Sequence, residues 1–170
     1  MSIAQSLLPE FDHEMAGTRK ALERAPATHA SWRPHEMSMT LAQLTTHLAE
    51  IPRFVPRIVH DDELELYPVG GEPFERKTPL PVESAVAVFD ENVREAREAL
   101  AAATDEQLLR PWTLKVQGRP SFTLPKVAAF RTLTMYHLVH HRGQLSVFLR
   151  LLGAPVPGMY GPSADERLGR

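Results

Sequence analysis

Three histidines are spaced so that their side chains can share one bound ion. His137 and His141 lie one turn apart in a long segment with helical periodicity, about 40° from each other around the helix axis. A third histidine, His47, lies on a separate predicted helix. Three neutral imidazoles plus an open position form the ligand set of a working metal centre rather than a closed structural one. The spacing predicts metal chemistry and leaves the substrate open.

Helical geometry predicts that these three side chains face inward. Measured from His137, Phe148 falls at about 20° and His141 at about 40°, and Ile51 falls at about 40° from His47. A buried histidine held by an ordinary hydrogen bond is the simpler interpretation of any one of them. An unpaired buried imidazole costs about 1–3 kcal/mol, however, and a shared ion removes that cost for all three rings. Taken together, they favour a metal site.

Two further residues are candidates for catalysis near this site. His140 is spaced i,i+3 from His137 and competes as a chelator, so we assign it a supporting role or none. Glu50, about 60° from His47, is placed to orient a ligand or a water, although a solvated carboxylate at the helix edge is the alternative.

Four residues are candidates for contact with a substrate. Trp32, Trp112 and Tyr160 are chosen by their positions in predicted loops, and Gln144 is predicted to face inward near His137. For Gln144 the alternative is that it only completes the core. Arg142 is predicted to be an ordinary surface residue, and an ion pair with an acidic substrate or a partner subunit is the alternative.

Periodicity predicts four long helices and one small hairpin. Pro52 and Pro56 predict a kink or break in the second helix, and Gly153 is expected to end the fourth. The helices are expected at about 3–25, from Ser38 or Thr40 to 58, at 82–103 and at 125–152, with an irregular crossover at 61–81 and a hairpin at 111–124 that turns at 117–118. This pattern favours an all-α four-helix bundle in a single domain, 1–170, with a long crossover between helices 2 and 3.

Composition narrows the classes of function. The chain has 19 basic and 21 acidic side chains and a formal charge of −2, which disfavours nucleic acid as a partner. It has no cysteine, so thiolate ligands and a cysteine nucleophile are excluded. No apolar run is long enough for a membrane span, and the first residues do not form a secretory signal. We expect a soluble, cytoplasmic protein.

The chain resembles the DinB family. The resemblance covers most of the length and depends on the segment around His47, on His137 to Leu145, and on the motif at 152–157 followed by Tyr160-Gly161-Pro162. It implies an up-down-down-up four-helix bundle, usually a homodimer, with one divalent ion, zinc or nickel, on His47, His137 and His141. His140 matches a histidine that is often present in the family and is not a ligand.

The resemblance also implies a range of functions. Relatives include transferases of low-molecular-weight thiols and a mycothiol-dependent maleylpyruvate isomerase. We therefore expect a metal-dependent thiol S-transferase or hydrolase, acting on a small molecule with a metal-activated thiol or water. A non-catalytic, metal-stabilised stress-related bundle dimer and a small-ligand binding protein remain the alternatives.

Overall fold

The computed structural model describes residues 1–76 and 78–169, which are mostly helical and include a small three-stranded sheet. The all-α class is therefore corrected to a mostly helical fold with a small sheet, of which the sequence predicts only the hairpin. The helices are α1 (Ile3–Glu23), α2 (Leu41–Glu50), α3 (Phe54–His60), α4 (Ala85–Ala102), α5 (Asp105–Leu109), α6 (Lys126–Phe130), α7 (His137–Leu151) and α8 (Ala164–Arg167). The strands are β1 (Glu63–Glu65), β2 (Pro111–Val116) and β3 (Arg119–Pro125).

The second predicted helix is broken where its prolines predict a break. Thr40 begins α2 with a reciprocal cap, in which its hydroxyl accepts from the Gln43 amide and the Gln43 side chain accepts from the Thr40 amide. A short 3₁₀ turn at Ile51–Arg53 then separates α2 from α3. Proline lacks an amide hydrogen and disfavours the α conformation before it, so the chain changes helix type at Pro52.

The fourth predicted helix is continuous along the chain but not uniform in hydrogen-bond pattern. Between α6 and α7, Arg131–Tyr136 forms a π-helical segment that leads directly into His137. Periodicity alone does not reveal such a segment. Gly153, at φ +70°, ends α7 as predicted, because glycine adopts this left-handed conformation without steric cost.

The predicted hairpin is confirmed and gains a third strand. β2 and β3 pair antiparallel around Gln117 and Gly118, which both have positive φ, as two-residue hairpin turns require. β1 adds to β2 in parallel, which the sequence analysis did not predict. The sheet covers a small apolar cluster that includes Trp112 and Phe54.

The main core lies between the long helices. Contacts join α1 to α4, α4 to α2, α2 to α7 and α7 to α1. Their fully buried side chains include Leu7 and Phe11 from α1, Leu44 and Leu48 from α2, Phe89 from α4, and Leu145 from α7. Among the described residues, no helix is both long enough and apolar enough to cross a membrane.

Candidate metal centre

The contact between α2 and α7 brings the three predicted histidines together. On α2, His47 lies between Leu44 and Leu48, whose burial fixes the rotation of the helix about its axis. On α7, His137 and His141 are one turn apart and face α2. Each histidine is partly buried, and the His47 side chain retains 16% exposure. The rings are therefore fixed by the core but still accessible.

The geometry of the cluster is compatible with one shared ion. His47 Nε2 lies 3.1 Å from His137 Nε2, and one ring nitrogen from each histidine lies within 4.8 Å of those of the other two. The ring centroids of each pair are 4.5–4.8 Å apart. An ion about 2.0–2.1 Å from each nitrogen separates its tetrahedral ligands by roughly 3.3 Å. The observed spacing needs only small ring movements to match this.

The outer ring nitrogens face hydrogen-bond acceptors. His141 Nδ1 lies 2.8 Å from Gln144 Oε1, an oxygen that can only accept, so Nδ1 carries the proton. A ring N–H of His137 is stabilised by the Leu133 carbonyl; because Nε2 faces His47, we assign that proton to Nδ1. This pattern leaves Nε2 of both rings with a free lone pair, the form in which imidazole binds a metal.

Glu75 lies on the outer side of His47, beyond hydrogen-bond distance of the ring, and the sequence analysis missed it. Its Oε1 lies 3.9 Å from His47 Nδ1, and its other oxygen accepts a hydrogen bond from the Tyr67 hydroxyl. That bond raises the pKa of Tyr67 to about 12, so the phenol keeps its proton and donates it. Both residues belong to the irregular crossover, where no periodicity signals a position facing the histidines.

Burial keeps all three imidazoles neutral. It lowers the pKa of His47 to about 3, with a further contribution from the nearby His141 and His137 rings. Burial also lowers the pKa of His137, against the opposing effect of the Leu133 carbonyl, and that of His141, against the hydrogen bond that its ring donates to Gln144. His47 Nε2 and His137 Nε2 lie 3.1 Å apart, close to the spacing of two ligands on one ion, and a neutral imidazole can offer a lone pair at that nitrogen. The donor set therefore fits a divalent ion.

Neither catalytic candidate from the sequence is a free base beside the histidines. Glu50 is buried, not solvated, and its Oε1 lies 3.0 Å from Arg76 Nε and 3.2 Å from Arg53 Nη1. His140 is exposed, and its Nε2 lies 3.2 Å from Gln144 Nε2. It therefore contacts the residue that holds His141 but stays outside the cluster.

The four candidates for substrate contact lie in different environments. Trp112 is fully buried beneath the sheet, so its interpretation as a wall of the site is corrected. Trp32 packs edge-on against Phe148, and Phe148 rather than Trp32 lines the hollow beside His141. Gln144 is exposed rather than inward-facing, yet it contacts His141 directly. Tyr160 stacks on a different histidine, His13, away from the three-histidine cluster.

Arg142 is buried, and its prediction as a surface residue is wrong. Its side chain is 3% exposed and forms an ion pair with Glu14 at 2.6 Å. Tyr160 donates to Glu14 and accepts from Arg142, which ties the C-terminal segment to α1 and α7. A buried guanidinium requires such partners. The C-terminal segment supplies one of them, Tyr160, and the periodicity of α7 does not reveal it.

Hollows lie on two sides of the histidine cluster. His47, Glu50, Glu75 and Arg76 line one of about 240 Å³. His141 lines another of about 480 Å³. A larger hollow of about 740 Å³ includes none of the three histidines, so volume alone does not locate the site.

A mostly helical chain with three histidines converging from two helices is a candidate metalloprotein. Residues 10–145 match the model of the DinB superfamily, and the chain belongs to this superfamily. A stretch of 30 residues is also 53% identical to the uncharacterised protein YrdA of Bacillus subtilis strain 168. That stretch is 18% of this chain and spans only 18% of YrdA.

Two solved structures share the fold. One is a DinB-like protein, YjoA, from Bacillus subtilis, with a TM-score of 0.68 and 21% identity over 91% of this chain and 96% of that one. The other is a DinB-like protein from Bacillus cereus ATCC 10987, with a TM-score of 0.68 and 23% identity over 94% and 98% of the two chains. At these levels of sequence identity, the similarity shows a shared fold and nothing about function.

Proposed function

We propose that the protein holds one divalent cation, zinc or nickel, on His47, His137 and His141, and that it is a metal-dependent thiol S-transferase or hydrolase. The observation that carries the proposal is the convergence of three neutral imidazoles from α2 and α7. An ion on three imidazoles that keeps an exchangeable position lowers the pKa of a coordinated thiol or water towards neutrality.

Side-chain and backbone groups of the chain orient the proposed ligands. Gln144 and the Leu133 carbonyl hold the ring protons of His141 and His137 on the side away from the cluster. Glu75, itself held by Tyr67, lies on the corresponding side of His47. The acceptors on His141 and His137 raise the basicity of these two ligands and restrict their rotation.

The accessibility of the cluster favours a catalytic role for the ion over a purely structural one. A structural site is closed by four protein ligands, whereas only three candidate ligands cluster here among the described residues. The hollows beside His47 and His141 leave room for a small molecule on both sides. A reacting group can therefore reach the remaining position.

The first experiment tests the metal. Protein purified without an affinity tag should contain about one zinc or nickel per chain by elemental analysis, and His137→Ala should lose it. His140→Ala is the matched control, because His140 is adjacent but exposed, and it should retain the metal. Full occupancy in His137→Ala would refute the ligand assignment.

The second experiment separates an enzyme from a metal-stabilised scaffold. The metal-loaded protein should turn over an electrophile with bacillithiol, mycothiol or glutathione, or hydrolyse an ester without a thiol. His137→Ala should lose that turnover. A protein that binds metal but turns over none of these substrates supports the alternative of a non-catalytic bundle.

We also propose that the four long helices run up-down-down-up and that the protein forms a homodimer. Static light scattering of the purified protein tests the dimer: a mass near twice the chain mass of 19.1 kDa supports it, and a mass near 19.1 kDa contradicts it.

A further inference from the structure

The hollow beside His141 has an apolar wall. Its volume is about 480 Å³, within the range typical of small-molecule sites. Met37, Met39, Val147 and Phe148 supply its apolar surface, and the first three remain exposed, Met37 by 86% and Val147 by 57%. Exposed apolar side chains that are grouped around a concavity commonly mark a binding site.

This apolar hollow is continuous with the histidine cluster. His141 forms part of its wall, next to Gln144, which holds the His141 ring. Met39 also lines the charged hollow on the side of His47. A molecule with one end at the histidines therefore has an apolar surface within reach on one side and charged groups on the other.

We propose that the apolar hollow binds an alkyl chain or aromatic ring of a substrate whose metal-binding group lies at the three histidines. The inference rests on the proposed function, since the ion fixes one end of the substrate. It assigns the substrate to amphiphilic small molecules, with a polar reacting group and an apolar tail.

The tail is expected to add affinity through burial. Each buried methylene strengthens binding by about threefold when the walls cover it in part. Four extra methylenes therefore strengthen binding on the order of 80-fold. Methionine side chains on the wall can adapt to tails of different shape.

A chain-length series on the cobalt-loaded protein tests this inference. Cobalt(II) is added because its visible spectrum reports ligand exchange, and acetohydroxamate and hexanohydroxamate are titrated separately. We expect hexanohydroxamate to bind on the order of 80-fold more tightly. Val147→Glu should weaken hexanohydroxamate at least tenfold and leave acetohydroxamate unchanged.

Two variants keep the test specific. Val69→Glu makes the same change at another exposed valine, which lines neither hollow beside the cluster, and should behave as wild type. Met37→Glu changes a second residue of the wall and should repeat the effect of Val147→Glu. Both positions are highly exposed, so the fold should tolerate the charge.

The possible outcomes are distinct. Equal affinity for the two hydroxamates, in protein that binds cobalt, would overturn the inference and leave the proposed metal site intact. Absence of a cobalt spectrum would overturn the proposed function, and the inference with it. If Val147→Glu instead converts a wild-type dimer to monomers, the hollow is a contact between two copies of the chain, and the inference is also overturned.

Discussion

At the scale of residues, the histidine cluster depends on side chains that do not themselves face it. Gln144 lies at the surface, and its amide oxygen accepts from His141 Nδ1 while its Nε2 lies 3.2 Å from His140 Nε2. Fixing Nδ1 as the protonated nitrogen commits Nε2 of His141 to the cluster. A surface glutamine therefore sets the tautomer of a proposed ligand.

Replacement of Gln144 should weaken metal binding without weakening the fold. Gln144→Leu removes the acceptor, and the affinity for zinc should fall about 10–100-fold, the usual effect of losing such a partner. The free energy of unfolding of the metal-free protein should change by less than about 0.5 kcal/mol, because the side chain is exposed. Competition with a chromophoric chelator measures the affinity.

Gln144→Glu is the matched control for this prediction. It keeps an acceptor oxygen at the same distance along the side chain, so zinc affinity should stay close to that of wild type. Equal affinities in the leucine and wild-type proteins would show that the hydrogen bond to His141 does not orient the ring.

The sequence predicts the clustered residues better than the residues that support them. His137 and His141 share a face because the helical repeat fixes their relation. Glu75 reaches His47 from an irregular crossover, whose path depends on the folded core. Arg142 lies about 140° from His137 around the helix, a position for which periodicity predicts exposure. In the structure, α1 and the C-terminal segment cover this second face of α7.

At the scale of elements, the π-helical segment Arg131–Tyr136 changes the register just before the first histidine of α7. Such segments often occur at functional sites, where they redirect a side chain or a carbonyl. Here the segment contains Leu133, whose carbonyl contacts His137, and Thr134, which is fully buried. The Thr134 hydroxyl has no hydrogen-bond partner among the described residues.

Thr134→Val should stabilise the protein. Valine has nearly the same shape and removes a buried, unpaired hydroxyl, so the free energy of unfolding should rise by about 1 kcal/mol. Thr46→Val is the matched control, because the Thr46 hydroxyl accepts from the Leu80 amide and donates to the Ala42 carbonyl. It should destabilise by about 1–3 kcal/mol. Urea denaturation compares the two, and a loss of stability in Thr134→Val would contradict the prediction.

Other elements show why local signals succeed at some positions and fail at others. The break at Pro52 and the end of α7 at Gly153 follow from the backbone chemistry of those residues, so they are readable in the sequence. Strand β1 is only three residues long, and it pairs with β2, which lies about 50 residues further along the chain. That pairing depends on tertiary structure, and periodicity does not show it.

The C-terminal segment should loosen in acid, because Glu166 holds it. The Glu166 carboxylate accepts from the amides of Gly158 and Ser163, and these bonds lower its pKa from the usual 4.5. A carboxyl group with a lowered folded pKa contributes stability that is complete above pH 4.5 and is lost as the pH falls through the lowered value. Wild type should therefore exceed Glu166→Gln in melting temperature at pH 6, and the difference should shrink at pH 3.

Glu36→Gln supplies the control for this pH dependence, since Glu36 is exposed in a loop. Its melting temperature should differ from that of wild type by the same small amount at both pH values. A constant difference between wild type and Glu166→Gln from pH 6 to pH 3 would show that the carboxylate does not hold the tail.

At the scale of the whole molecule, a bound ion would join elements that are distant in the sequence. The proposed ligands come from α2 and α7, 90 residues apart, and α2 and α7 also pack on α4 and α1. An ion that binds only the folded state stabilises it in proportion to the logarithm of its concentration over the dissociation constant. Metal content should therefore control global stability as well as chemistry.

Removal of the metal should lower the melting temperature of the whole protein. At a free zinc concentration 1,000 times the dissociation constant, binding adds about 4 kcal/mol, which corresponds to roughly 10 °C for a chain of this size. Addition of EDTA should produce that loss in wild type and in His140→Ala, measured by scanning calorimetry, and zinc should restore it. His47→Ala should melt at the same temperature with and without EDTA, because it lacks the ligand that α2 supplies. If EDTA leaves the wild-type melting temperature unchanged, no metal joins α2 to α7, and the histidine cluster is held by the apolar core alone.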